Sequence, residues 1–241
     1  MNLRLRTVFD APRRLDIRSR AVQTAIQFWA AGPFMPSAQS LNITISHSHR
    51  FIWYRVAKVA TRSTLQGLRD QGVVFEAEHP MAVCYPLNTY DSYFKFAFVR
   101  NPWSRVVSCW KNKIVDRHLA PPDGVVRWRG LPDAQLQQLE SFSGFVSYVE
   151  SLSIDTCDIH LRSQSKLIDL NHIDFLGRYE NMEQDMEEVF VSLGLPARAL
   201  PKINQSTGGE TYRDHYDADL IERVARIYRR DIQIFGYTFD N

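Results

Sequence analysis

The chain has 241 residues, 44% hydrophobic, 23% charged and 12% aromatic, with a formal net charge of +2. That length and apolar content suit one globular domain carrying an arm, and they exclude a disordered chain. The small net charge argues against general nucleic-acid binding, which calls for a strongly basic face.

Residues 1–45 read as a basic, loosely patterned arm and residues 46–241 as a single domain. The first 20 residues hold six arginines against two aspartates. Such charge is ordinarily solvated, and contact with an anionic membrane surface or acceptor is the alternative reading. Arg4 and Arg6, followed by Asp10, Arg13 and Arg14, leave no apolar secretory leader. The segment from Ala21 to Met35 is interrupted by Gln23, Gln27, Gly32 and Pro33, so it is too polar and short to span a bilayer. A helix packed on the domain is expected there.

From Phe51 the pattern sharpens. Phe51 to Val56 reads as a buried strand, Ala57 to Thr61 as a turn, and Arg62 to Asp70 as a helix. A short strand is expected near Val73 to Phe75, and Phe94 to Val99 is the clearest strand. Asn101 has the character of an N-cap and Pro102 that of a first helical residue, opening a helix to about Ile114. Residues 116–135 form a loop rich in proline and glycine. Helices are expected at 141–152, 181–193 and 217–231, a strand at 174–179 and a polar loop at 197–216. Strands alternating with helices imply an α/β fold with a central parallel sheet flanked by helices. Cys84, Cys109 and Cys157 are odd in number and widely spaced, so they form neither a disulfide framework nor a zinc site. A reducing cytoplasm is the expected location, with Cys109 a small core residue. His47 and His49 are expected on a strand face and not around a metal.

Two strand-turn-helix units carry chemistry. In the first, Lys58, Ala60, Thr61, Arg62, Ser63 and Thr64 follow a strand and open a helix. Small residues in such a turn let backbone N–H groups close on an anion, which the helix N-terminus also favours. Lys58 is placed to stabilise charge on an oxygen bridging a phosphate and a transferring group. The other reading of this segment is a surface lysine in a polar turn. The Gly-x-x-x-x-Gly-Lys-Ser/Thr spacing is absent, and no acidic residue ends a hydrophobic strand to hold Mg²⁺. In the second unit Arg100 closes a strand, and Ser108 lies about two helical turns further on at ~3.6 residues per turn, so the two can grip one phosphate. A strand-end arginine paired with a carboxylate is the competing reading.

Together these units resemble the PAPS-dependent sulfotransferases, specifically the carbohydrate (Golgi-type) branch and its bacterial relatives. The matching segments are Val56-Ala-Lys58-Val-Ala-Thr61-Arg-Ser63 and Phe98-Val-Arg100-Asn-Pro-Trp-Ser-Arg105-Val-Val-Ser108. Three more are His160-Leu-Arg-Ser-Gln164, Phe175-Leu-Gly-Arg-Tyr179-Glu180 and Tyr228-Arg-Arg-Asp231-Ile-Gln-Ile-Phe235-Gly-Tyr237. The resemblance spans about residues 50–240, with Ala57 where the family has proline and Arg62 as an extra charge in the loop.

It implies a P-loop-like sulfotransferase fold and transfer of a sulfuryl group from 3′-phosphoadenosine 5′-phosphosulfate (PAPS) to a hydroxyl of a carbohydrate or glycolipid. No metal and no nucleic acid are called for. The membrane anchor expected of the Golgi enzymes is missing, which favours a soluble bacterial-type enzyme. The resemblance places the 5′-phosphosulfate on the Lys58 loop and the 3′-phosphate on Arg100 and Ser108. Lys202, Asn204 and Ser206 resemble the family's late polar loop near that phosphate. His79 is the first candidate for the base that takes the acceptor proton, with Glu76 and Glu78 as rivals; the alternative is a solvated loop. His160 lines the active site on the family motif or serves packing. Trp128, between two arginines, suits stacking on a sugar ring or simple exposure. The competing functions are an ATP/Mg²⁺ P-loop kinase and a non-catalytic nucleotide-binding module.

Overall fold

The computed structural model describes residues 40–76, 83–84, 90, 92–116, 133–201 and 211–241. They fall into two compact units. The first is drawn from residues 1–56, 60–99 and 167–203, and the second from residues 57–59, 100–166 and 204–241.

The first unit holds all the described strands. β1 (Ser40–Leu41) pairs with β4 (Val83–Cys84), and a four-stranded sheet runs in the order β2 (Ile43–Ser46), β3 (Phe51–Tyr54), β5 (Phe94–Val99), β6 (Phe175–Arg178). β3, β5 and β6 are parallel, as the alternation of strands and helices implies. Their residues are nearly continuous in apolar character because both faces are covered: Phe51, Trp53, Phe96 and Phe98 are at most 1% exposed. β2 adds an antiparallel strand to this parallel core. It is antiparallel to β3 through the turn 47–50, since four residues suffice for a hairpin but not for a parallel crossover. His47 and His49 therefore lie in a turn and not on a strand face. Residues 73–75 form no strand, and Val74 is 59% exposed there.

Helices α1 (Thr61–Asp70) and α5 (Met182–Ser192) complete this unit. Gly67 of α1 lies so close to Leu200 and Phe190 that a Cβ would meet the Leu200 methyl at 2.4 Å. Gly177, in the Gly-Arg-Tyr-Glu segment, is needed for the same reason: a Cβ would fall 2.3 Å from the Phe98 ring.

The second unit is helical. α2 (Pro102–Trp110) begins as its sequence predicts, with the Asn101 carbonyl oxygen of the side chain accepting from the amides of Trp103 (3.0 Å) and Ser104 (3.3 Å) and Pro102 at the first position. It runs into one turn of π-helix, Lys111–Val115. α3 (Asp133–Glu140) and α4 (Phe142–Glu150) follow. The expected closing helix is two, α6 (Ala218–Ile227) and α7 (Arg229–Phe235), broken at Tyr228 and ended by Gly236 in the left-handed region. Among the described residues no helix is long and apolar enough to cross a membrane.

Candidate active site

Two residues after β3 the chain enters the turn of the first motif. Lys58 (φ 70°) and Ala60 (φ 42°) both adopt left-handed backbone angles without being glycine. Each such residue costs about 1–3 kcal/mol and persists only where its surroundings hold it. At Lys58, which falls in the second unit, they do. Arg105, 1% exposed, donates from Nε to the Ala57 carbonyl (3.1 Å), from Nη1 to Arg162 (2.9 Å) and from Nη2 to Ile159 (3.1 Å). Arg100 donates from Nη1 to the Lys58 carbonyl (3.2 Å) and from Nε to Ser104 Oγ (2.9 Å). With the consecutive carbonyls of Ala57 and Lys58 drawn to guanidinium groups, the N–H groups of Lys58 and Val59 lie on the opposite edges of those two trans peptides, where an anion can meet backbone donors.

Beyond the turn, α1 starts at Thr61. Its N-cap is Ala60, which offers no side-chain bond, and no acidic residue occupies the first turn. A ten-residue helix thus begins with orphan amides and an uncompensated dipole, which suits an anion. Thr61 and Thr64 turn their hydroxyl protons to the carbonyls of Val56 (3.2 Å) and Ala60 (3.3 Å). Thr64 is fully buried, so of the expected hydroxyl donors it serves the helix itself. Ser63 makes no hydrogen bond among the described residues, and Arg62 is exposed.

Arg100 follows the last residue of β5, and its backbone is clasped by Gln164. The Gln164 amide oxygen accepts from Arg100 N (3.0 Å) while its nitrogen donates to Arg100 O (2.8 Å). Gln164 is held in turn by Asp231, 0% exposed, whose carboxylate accepts from Gln164 N (2.6 Å), Ser165 N (3.0 Å) and Ser165 Oγ (2.7 Å). Tyr228 donates to Leu161 O (2.7 Å). The His-x-x-x-Gln and Tyr-x-x-Asp segments are therefore the supports on which Arg100 stands. Ser108 is half-buried on α2 and, like Ser63, has no partner among the described residues.

His160 sits on a turn between these supports. Its Nδ1 is 2.7 Å from Asp158 Oδ1, and its backbone N–H donates to the same oxygen (3.0 Å). Burial holds the His160 imidazole below its ordinary pKa, opposing Asp158, which favours the charged form; Lys113 and Lys58 lower it further. Cys109, on α2, is fully buried, and burial pushes its thiol up to about 11, as befits a core residue.

Glu76 belongs to the first unit, where its carboxylate accepts from the His47 amide (2.8 Å) and caps the hairpin turn. His79, Glu78, Trp128, Lys202, Asn204 and Ser206 lie outside the described residues. Among the described residues no group of His, Cys, Asp or Glu could hold a metal ion. The residues missed by sequence reading are the supports: Ser104, Arg105, Asp158, Gln164 and Asp231. Their signal was present, since four of the five lie within the matched segments, but nothing local distinguishes a support from a ligand.

A family model described as the sulfotransferase family matches residues 41–238. Among curated proteins, carbohydrate sulfotransferase 11 of Rattus norvegicus is 24% identical, over 83% of this chain and 68% of its own length. Carbohydrate sulfotransferase 14 of Homo sapiens is 27% identical over 83% of this chain and 61% of its own length. An uncharacterized protein of Archaeoglobus fulgidus is 28% identical over 52% of this chain and 86% of its own. No solved structure matches. The matched span takes in the strained lysine turn, both arginines that hold it and the Asp231 relay beneath them, and with it the chain belongs to the sulfotransferase family.

Proposed function

We propose that this protein transfers a sulfuryl group from PAPS to a hydroxyl of a carbohydrate or glycolipid acceptor. The observation that carries the reading is the turn at Lys58: two left-handed residues, Lys58 and Ala60, with the Ala57 carbonyl held by Arg105 and the Lys58 carbonyl by Arg100, lead into a helix start with no side-chain cap. That is an anion cradle built at a cost in backbone strain, and a lysine stands in it. PAPS supplies an activated sulfuryl group on its 5′-phosphate. The amides at 60–63 and the Ser63 hydroxyl bind that phosphate, and the Lys58 ammonium stabilises the oxygen that becomes negative as the sulfuryl group departs. Arg100, which bonds Ser104 Oγ and the Lys58 carbonyl, binds the 3′-phosphate together with Ser108 in this reading. The carbohydrate part of the reading rests on the names of the similar carbohydrate sulfotransferases, at 22–27% identity. A location in the cytoplasm, with the basic arm touching anionic membrane, belongs to the same proposal.

Calorimetry with 3′-phosphoadenosine 5′-phosphate (PAP) and with AMP tests it. A separate 3′-phosphate site contributes charge-assisted hydrogen bonds of about 1.5–3 kcal/mol each, so PAP binds at least about tenfold tighter than AMP. Equal affinities remove the Arg100–Ser108 site and the donor assignment with it.

A further inference from the structure

We propose that His160, held by Asp158, is the base that takes the proton of the acceptor hydroxyl; this rests on the sulfuryl-transfer reading above. Three observations converge on it. The first is position. One guanidinium, that of Arg105, bonds the carbonyl before Lys58 and the carbonyl before His160. Two acceptors on one planar fork lie within a few ångströms of each other, so the lysine and the histidine leave the backbone from neighbouring points. Lys58 is close enough for its charge to oppose protonation of the imidazole.

The second is orientation. Asp158 accepts from both the backbone and Nδ1 of His160, which assigns the proton to Nδ1 and leaves Nε2 with its lone pair. The side chain is 30% exposed, and Nε2 has no partner among the described residues. A base whose other nitrogen is held by a carboxylate is the arrangement that activates hydroxyl nucleophiles elsewhere.

The third is rigidity. The turn carrying His160 is tied by Arg105 to the carbonyls of Ile159 and Arg162, by Arg162 to those of Thr156 and Cys157, and by Tyr228 to that of Leu161. Five carbonyls held on a seven-residue turn fix a side chain far more tightly than packing alone requires. The charged groups that face the ring are Asp158, Lys58 and Lys113. Burial and the two lysines keep it neutral, the state a base needs.

The step balances as follows. The acceptor oxygen forms a bond to sulfur while the bond from sulfur to the 5′-phosphate oxygen breaks. The electron pair of that bond stays on the phosphate oxygen, where Lys58 meets it. The acceptor proton passes to His160 Nε2, and the imidazolium then loses it to solvent.

Two measurements test this. Nitrogen NMR of the imidazole, without turnover, shows His160 as the Nδ1–H tautomer, titrating below an ordinary histidine and shifting when PAP is added. An Nε2–H tautomer, or no response to PAP, overturns the assignment. Release of PAP from PAPS is then followed with desulfated polysaccharide and with water alone as acceptors. His160→Ala lowers turnover by about 10²–10⁴ with PAP affinity unchanged, and the acidic limb of the pH profile disappears. Asp158→Asn keeps the limb but moves it to lower pH, because the carboxylate favours the charged ring; a purely structural role for Asp158 leaves the limb where it was. If His79→Ala removes the limb and His160→Ala does not, the base is elsewhere. If wild-type protein fails to bind PAP, the sulfuryl-transfer reading falls first and this proposal with it.

Discussion

In the strand-bearing unit Phe96 meets Phe51, Trp53 and Phe98 ring to ring at 5.6–6.1 Å, and the centre of the sheet is close to dry. In the helical unit the comparable depth is occupied by Arg105, Gln164, Ser165 and Asp231, all 6% exposed or less and all hydrogen-bonded. The first arrangement is non-directional: apolar rings contribute by area and tolerate small shifts. The second is directional, since each donor needs its acceptor within about 3 Å, and a buried group left unpaired is costly. One unit therefore supplies a stable sheet, and the other holds a strained turn and the Arg100 guanidinium in one geometry.

The sharpest way to break this comparison is to damage each interior equally and ask what else is lost. Phe96→Ala and Asp231→Ala each cost about 3–5 kcal/mol of stability, the first by cavity formation and the second by stranding three donors. Below the lowered melting temperatures, Phe96→Ala keeps wild-type affinity for PAP, whereas Asp231→Ala weakens it, because Gln164 no longer clasps Arg100. Thermal melts and calorimetry on the two variants decide; equal PAP affinities would reduce the Asp231 relay to ordinary scaffolding.

Within the helical unit the comparison sharpens between groups that hold the donor and the group that meets developing charge. Lys58→Ala lowers kcat by about 10²–10³ while donor affinity changes little, since the loop amides remain. Arg100→Ala shows the reverse balance, mainly a raised KM for the donor, because its phosphate does not change during the reaction. Steady-state kinetics with independent donor Kd measurement separates them, and a near-normal kcat for Lys58→Ala defeats the role assigned to the lysine.

The smallest effect lies at the surface of the same unit. Arg223 Nη2 is 2.6 Å from Glu150, and that hydrogen bond holds the Glu150 carboxyl below its ordinary pKa. A depressed folded pKa stabilises above the unfolded pKa and is lost as pH falls through the folded one. With Glu150 33% exposed, Glu150→Gln costs less than about 1 kcal/mol at neutral pH and nothing in strong acid. Denaturant melts at both pH values check it. A large effect would mean that polar contacts here matter as much outside the buried relay as within it.

Much of the fold was legible because it is local. Phe94–Val99 is a strand with the ends its apolar run predicts, and Asn101-Pro102 starts a helix through a cap made within three residues. Ile43–Ser46 escaped notice because four residues between polar neighbours carry no clear period, and it becomes a strand only by pairing with β3. Continuous helical pattern across Tyr228 concealed the break there, which accompanies the bond from the Tyr228 hydroxyl to Leu161.

The site divides in the same way. By itself the sequence determined the family, through five motifs in order, and it put forward Lys58, Arg100 and Ser108 as the residues to meet an anion. Only the tertiary structure decided that Arg105 is a clamp, that Gln164 and Asp231 are supports, that Thr64 faces its own helix, and that Lys58 and Ala60 take left-handed angles. The physical reason is range: caps and hydrophobic periods act over three or four residues, whereas a guanidinium bonding carbonyls 48 and 54 positions away has no local pattern to announce it.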